Sequence, residues 1–540
     1  MTWCSYTFRD AIEPCAPHPA SDDPIDGLPK KCSIRQKSHI YTDWYGHRMM
    51  MGAPFGGFMR GPHHFEEADA EAEIERLERP AQTVSWNSPI GQRFDLDLLP
   101  TVYGPREDTN LLAHVINKAH LSSQTKALEI GCGAGAVSLF AASLGWSVTS
   151  CDINPYAVAC TKGHAEKYGY AIRVREGGPG PLQDGLPKQW MGDERYDVVM
   201  WNMPYLSPPK PGEPVLGPLE EAAMIDTDDV GLYARFLNLL ESGQLLRPGG
   251  RAYVIVSNLG IGDRAMPLAW RKGFAARVVG QCQFEEGEVL SALALWRPFP
   301  KATVEHHPTL ESTNAYLLNS TYGLGSRVSA DHQSKGRGRR GRSWTSPEQA
   351  VMASWVVALD GGMSHSTMHQ LLVGHHVQLL LRTYAAEHSE FICLKWPNDL
   401  FLRSSEGWQK FGGILFEARS SGKKHRIVLG LGLNLVASKP YGSLLDALPS
   451  VNQLQLMEHL HAMVASLFDP TVNACLGEHR FYLDDLNREV RQAESNLGPL
   501  FYRNEKVAYS GMDEEGQLLV TVRENNLLVD DPDALVWSSI

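Results

Sequence analysis

Between residues 107 and 296 short apolar runs alternate with longer helical stretches, a pattern met by a parallel sheet covered with helices on both faces and by few other folds. Strands are expected at 127–130, 148–151, 197–201 and 252–256. Helices are expected over 155–168 and 229–246, the latter stopped by Arg247, Pro248, Gly249 and Gly250. Residues 297–300 punctuate the chain, and a second, different α/β pattern begins near His306. Its strands fall at 351–359, 391–396, 413–418 and 427–431, with a long helix over 366–387. After two more helices, 498–540 reads as short β-segments around a turn at 512–516, the pattern of a small β-barrel.

A chain of 540 residues exceeds one hydrophobic core, so several domains are required. The reading places an N-terminal extension over 1–90, a doubly wound α/β domain over 91–300, a mixed α/β domain over 301–497 and the barrel over 498–540. The extension shows little periodicity beyond an acidic helical stretch at 66–79. Its Cys4, Cys15, His18 and Cys32 match no zinc spacing, and no metal ligand is assigned.

The net charge of −12 leaves no broad basic face for non-specific nucleic-acid binding. Nine scattered cysteines without a C-x-x-C pair fit reduced thiols, and neither a leader nor an apolar run of about 18 residues is evident, so a cytoplasmic, non-membrane protein is expected.

Two strings carry chemistry. The first, Gln333 to Trp344, interleaves Gly336, Gly338 and Gly341 with Arg337, Arg339, Arg340 and Arg342. Such a loop lets the backbone approach a ligand closely while guanidinium groups meet phosphate and carboxylate oxygens. Alone it fits a solvated basic loop or an RNA-binding tail equally well. Its neighbours are Glu311-Ser312-Thr313-Asn314, Lys395-Trp396-Pro397-Asn398-Asp399, Lys410-Phe411-Gly412-Gly413-Ile414-Leu415-Phe416-Glu417 and Gly430-Leu431-Gly432-Leu433-Asn434. Singly, Trp396 and Pro397 read as core packing and Gly412 and Gly413 as a bend. In this order, across roughly 230 residues, they resemble the biotin protein ligase family.

That resemblance implies activation of biotin by ATP to biotinyl-adenylate, then transfer to a lysine of a biotin carboxyl carrier domain. It implies biotin contacts from Ser312, Thr313 and Gln333, and a loop carrying Gly336, Arg337, Arg339 and Arg342 that closes over the adenylate and excludes water. Trp344 covers the adenine side. Lys410 stabilises charge on the reacting oxygens. Asn398 and Asp399 sit near the phosphates, and Asn434 near the nucleotide with magnesium. Residues 403–409 make the link between two motifs longer than the family pattern. His306, His307, His375 and His376 are read as structural or exposed, without carboxylate partners. No helix-turn-helix is seen, so no operator DNA is expected; a homodimer through a sheet edge stays open.

The second string, Glu129-Ile130-Gly131-Cys132-Gly133-Ala134-Gly135, follows the first strand, with Asp152 ending the next. Glycines there admit a ligand to the backbone, and an acid about 20 residues on can hold two ribose hydroxyls. The spacing differs from G-x-G-x-x-G and resembles S-adenosylmethionine-dependent methyltransferases. Trp201-Asn202-Met203-Pro204-Tyr205 ends the fourth strand. In N-methyltransferases with N-P-P-Y, the Asn grips a planar nitrogen and the Tyr stacks on it. With Val102 to Thr109 and Asp152-Ile153-Asn154-Pro155, the region resembles release-factor glutamine methyltransferases, implying a peptide chain release factor as partner. Met203 departs from proline and leaves two alternatives: an RNA adenine N-methyltransferase, or a non-catalytic module that binds the cofactor.

Overall fold

The computed structural model describes residues 79–180, 187–206, 223–226, 228, 230–285, 287–345, 347, 349–360, 367–385, 391–421, 424–437, 439–472 and 481–538. The acidic stretch at 66–78 and the N-terminal cysteines lie outside them. Residues 82–208 and 219–540 form one compact unit. Among the described residues no helix is long and apolar enough to cross a membrane.

The chain enters through an antiparallel hairpin, β1 (Gln82–Asn87) and β2 (Arg93–Leu98), which straddles the boundary expected at residue 90. Then come α1 (Glu107–Lys118), β3 (Lys126–Ile130), α2 (Ala136–Ser143), β4 (Ser147–Asp152), α3 (Pro155–Tyr168), β5 (Arg173–Glu176), β6 (Tyr196–Asn202), α4 (Leu232–Glu241), β7 (Leu246–Ser257), α5 (Ala265–Arg271), β8 (Ala275–Gln283) and β9 (Val289–Trp296). The seven-stranded sheet has the order β5-β4-β3-β6-β7-β9-β8. Its first five strands are parallel and the β8–β9 hairpin is antiparallel. Strand order reverses beside β3, which opens a crevice at the carboxyl ends of β3, β4 and β6. The helix expected over 229–246 ends at Glu241, where Gly243 turns left-handed at φ 71°; the Arg247 to Gly250 segment belongs to β7 instead.

The second sheet has the order β10-β11-β14-β18-β17-β16-β15, from β10 (Val304–Leu310), β11 (Arg327–Gln333), β14 (Gln349–Leu359), β15 (Ile392–Lys395), β16 (Asp399–Ser404), β17 (Gly407–Ser421) and β18 (Lys424–Val436). Only β10–β11 is parallel. Between β11 and β14 a two-stranded hairpin, β12 (Gly336–Arg337) and β13 (Ser343–Trp344), carries the arginines. The extra residues at 403–409 lengthen the β16–β17 hairpin, which turns at Ser404 and Gly407, so they form no separate loop. Helices α6 (Thr313–Asn319), α7 (Thr367–Arg382), α8 (Leu444–Ala447), α9 (Gln453–Phe468) and α10 (Leu483–Leu497) accompany this sheet. The C-terminal segment, where a barrel is expected, is a five-stranded antiparallel sheet: β19 (Leu500–Tyr502), β20 (Glu505–Met512), β21 (Leu518–Val522), β22 (Asn525–Val529) and β23 (Leu535–Trp537).

The two α/β halves share one hydrophobic core. Across their seam the Ser466 hydroxyl donates to the Ala462 carbonyl and accepts from the Trp270 indole and the Ala276 amide, filling its hydrogen-bonding capacity. Arg277, 5% exposed, stacks on Trp296 and donates to the carbonyls of Ser466, Asp469 and Val472 at 2.6–3.1 Å. The punctuation at 297–300 is therefore a pinned crossing, with the Phe299 amide 2.7 Å from Asp469.

Candidate functional sites

In the first half, Gly131, Gly133 and Gly135 all hold positive φ, at 66°, 51° and 82°. A Cβ on Gly133 would lie 3.0 Å from the Tyr103 carbonyl, so this turn demands glycine for both conformation and space. Because β3 pairs with β4 and β6, the turn stands beside Asp152 and Asn202. The Asp152 carboxylate accepts the Gly133 and Asn154 amides at 2.8 and 2.9 Å. Burial nevertheless raises its pKa to about 6. The Asn202 side-chain oxygen is buried without a hydrogen-bond partner, an expensive state in a closed fold and a reasonable one for an acceptor awaiting a donor. Pro204 and Met203 are buried; Tyr205 is half-buried, and burial raises its phenol pKa. Ile153 is 48% exposed next to Asp152.

Glu129 requires a correction. Its carboxyl is bonded to the Ser138 hydroxyl of α2, which also meets Ser150, and burial raises its pKa to about 8. The side chain is 4% exposed and held between β3 and α2 by this contact. Glu129 is a buttress, not an open ligand-binding group.

In the second half, Ser312 caps α6 through the Ala315 amide. Gln333 accepts from the Thr313 amide and hydroxyl at 2.8 and 3.1 Å. From there a hydrogen-bonded chain runs on: the Ser354 hydroxyl lies 2.7 Å from the Thr313 hydroxyl and 2.5 Å from the Asn314 side-chain oxygen, Asn314 donates to Glu417 at 2.8 Å, and Arg337 to Glu417 at 3.0 Å. Residues expected at the biotin side and in the arginine loop are thus joined. Ser354 is not singled out by the sequence, and Glu417 stands at the end of the Lys410 motif without a role; a carboxylate inside the apolar run of β17 was the available signal.

Gly336 pairs with Trp344, fixing the hairpin's base. The Trp344 ring lies on a floor made by Gly413 and Gly432, where a Cβ on Gly432 would stand 2.8 Å from it, and its indole nitrogen is buried and unpartnered. Arg339 donates to the Asn398 side chain at 3.3 Å, and burial lowers its pKa. Asn398 is held to the Ile414 carbonyl, and Asn434 is buried in β18. Lys410 meets Asp399 at 2.6 Å. Lys395 lies near both, its pKa lowered chiefly by burial. Arg342, expected to face the nucleotide, instead pairs with Asp533 at 3.1 Å.

The histidine expectation also changes. His375 is buried against Glu489 at 2.8 Å, while His306 and His307 approach Asp331 and Glu305 at 3.3 Å.

These features define an α/β chain with two separate candidate sites: a glycine-turn crevice of nucleotide type, and an arginine hairpin over a glycine-floored sheet. Residues 307–434 match the family model of the Biotin/lipoate A/B protein ligase family, and residues 104–175 match that of Tellurite resistance protein TehB. The chain is 34% identical over 152 residues to the Bifunctional ligase/repressor BirA of Escherichia coli, covering 27% of this chain and 45% of that protein. It is 26% identical over 235 residues to the Release factor glutamine methyltransferase of Streptococcus pneumoniae, covering 41% of this chain and 80% of that one. The chain spans about half the length of the curated ligases it matches. A solved biotin protein ligase from Aquifex aeolicus, in complex with biotin and ATP, shares 20% identity over 43% of this chain and 97% of its own, with a TM-score of 0.35.

Proposed function

We propose that the chain is bifunctional: an ATP-dependent biotin protein ligase over 301–540, its C-terminal segment folding as a small barrel, and an S-adenosylmethionine-dependent N-methyltransferase over about 91–300, with β1 and β2 at its entrance. The observation that carries the ligase reading is the joined network from Gln333 to Arg337, lying with the Lys410–Asp399 pair in one family-matched segment. In this reading Ser312, Thr313 and Gln333 orient biotin, and Lys410 neutralises oxygens that gain charge as biotin carboxylate displaces pyrophosphate from ATP. Trp344 covers the adenine, while Arg337 and Arg339 shield the acyl-adenylate until a lysine of a biotin carboxyl carrier domain attacks. Magnesium would arrive with ATP, near Asn434 as the family resemblance implies; the described residues hold no cluster of three His, Cys, Asp or Glu side chains suited to a metal.

The methyltransferase reading rests on the unpartnered Asn202 oxygen beside a turn that tolerates only glycine. Bound S-adenosylmethionine would supply an electrophilic methyl group. Gly131, Gly133 and Gly135 would admit the cofactor to the backbone, Asp152 would accept ribose hydroxyls, and Ile153 would offer an apolar face to the adenine. Asn202 would accept the acceptor's N–H, aiming its lone pair, and Tyr205 would stack on its plane. A glutamine side chain in a release factor is the proposed acceptor, consistent with the net charge of −12, which opposes RNA. The five described cysteines are free, consistent with a cytoplasmic protein.

The full chain, given ATP, magnesium, biotin and a carrier domain, is expected to form biotinyl-lysine. Lys410→Ala should lower adenylation on the order of 100-fold. Undiminished adenylation by this variant would remove Lys410 from the mechanism; no adenylation by the wild type would sink the ligase reading.

A further inference from the structure

The arginine hairpin has two faces, and each is occupied differently. Arg337 and Arg339 turn to Glu417 and Asn398 within the site. Arg340 and Arg342 turn outward to the C-terminal segment: Arg340 forks across Asp531 at 2.6 Å and Asp533 at 2.5 Å, and Arg342 reaches Asp533 at 3.1 Å. The divergence is built into the backbone, since Arg340 sits at φ 53°, a left-handed conformation that non-glycine residues seldom adopt. The acidic turn is itself braced, because the Asp531 side chain accepts the Asp533 amide at 3.0 Å and begins the short turn Pro532–Ala534. Two carboxylates on a fixed turn thus face the two guanidinium groups that the site does not use.

We propose that Asp531 and Asp533 are positioning residues of the ligase: they clamp the arginine hairpin by Arg340 and Arg342 and so hold Arg337, Arg339 and Trp344 over the reaction site. The clamp touches no reacting atom. Its work is to keep the hairpin down while the acyl-adenylate waits for its acceptor, which gives the C-terminal sheet a part in retention of the intermediate. An isolated exposed ion pair contributes little, but a forked arginine with a second one on the same turn forms a network, in which geometry is retained more strongly. Salt should weaken it. The inference rests on the biotin ligase reading, yet its structural half can be judged without activity.

The test uses the full chain and its Asp531→Asn/Asp533→Asn variant. Limited trypsin digestion, read by mass spectrometry after Arg340 and Arg342, should run about 5-fold faster in the variant, because hairpin opening is no longer opposed. In parallel, the variant should release biotinyl-adenylate to solution about 5-fold faster, while the kcat of biotin-dependent pyrophosphate exchange stays near the wild-type value. Asp533→Glu alone should restore most of the retention. Equal digestion rates would overturn the clamp, and faster digestion with unchanged adenylate release would overturn its positioning role. Tighter adenylate binding in the variant would mean the carboxylates compete with the ligand, and would also overturn it. Absence of adenylate in both proteins would refute the ligase reading, leaving the digestion to decide whether the hairpin is clamped.

Discussion

The indole N–H of Trp296 donates to the Asp469 carboxylate at 3.0 Å, joining the last strand of the first sheet to the end of a helix beside the second. The same oxygen accepts the Phe299 amide, so one carboxylate closes two buried donors at the crossing between halves. Asp469→Ala would strand both. A loss of about 3 kcal/mol is expected, with Asp469→Asn costing less because an acceptor remains. Chemical denaturation of the full chain measures it. Loss confined to one half, with the other unfolding as before, would contradict a shared core.

Asp152 should make cofactor binding depend on pH. Its carboxylate is the form that accepts hydroxyl protons, and its raised pKa of about 6 means that acidification through pH 6 neutralises it. Affinity for S-adenosylmethionine should therefore be full above pH 7 and fall on the order of 10-fold by pH 5. Calorimetry across that range reads the effect, which Asp152→Asn should abolish together with most of the affinity.

Asn202→Ala should leave that affinity nearly intact, because the glycine turn and Asp152 make the cofactor contacts. Methyl transfer to a release factor should fall on the order of 100-fold or more, since the amide acts on the acceptor's lone pair in the transition state. A variant that bound cofactor and transferred methyl normally would refute the role given to Asn202.

Gly432→Ala places a methyl 2.8 Å from the Trp344 ring, on a strand paired on both sides and unable to yield. The tryptophan must lift instead. Ligase kcat/KM should drop on the order of 10-fold with little change in melting temperature, and Trp344 emission should shift as the ring leaves its floor.

Glu129 gives a prediction of opposite sign to Asp152's. Its pKa is raised from the ordinary carboxylate value to about 8, so between those limits the folded chain keeps a proton that the unfolded chain has released. Stability from this group is present below about pH 4.5 and is lost as pH rises toward 8. Glu129→Gln, which mimics the protonated acid, should match wild type near pH 5 and exceed it on the order of 2 kcal/mol at pH 9. Thermal unfolding at the two pH values decides.

Much of this was legible in the residues. Short apolar segments located β3, β4, β6 and β14 to within a residue or two, because strands buried on both faces are rich in hydrophobic residues even where Glu129, Thr149 and Ser150 interrupt them. The glycine turn was legible because its backbone tolerates nothing else. Side-chain direction was not: Glu129 carries the motif's acid, yet Ser138 on the following helix decides where it points. The outward turn of Arg342 was equally hidden, since its partner Asp533 lies 191 residues away. Nor does any local pattern announce the seam, where Arg277 meets carbonyls about 190 residues downstream and each residue alone reads as ordinary surface.

The satisfied seam around Ser466 and Arg277 has a thermodynamic corollary. If both halves melt together, any small molecule that binds only the folded state of one half lowers the free energy of the other by RT ln(1 + [L]/Kd). Saturating S-adenosylmethionine would then protect biotinylation against heat without touching the ligase site, and biotin with ATP would return the favour to methyl transfer. Two chemistries that exchange no substrate would share a common lifetime, set by the supply of either one's ligands.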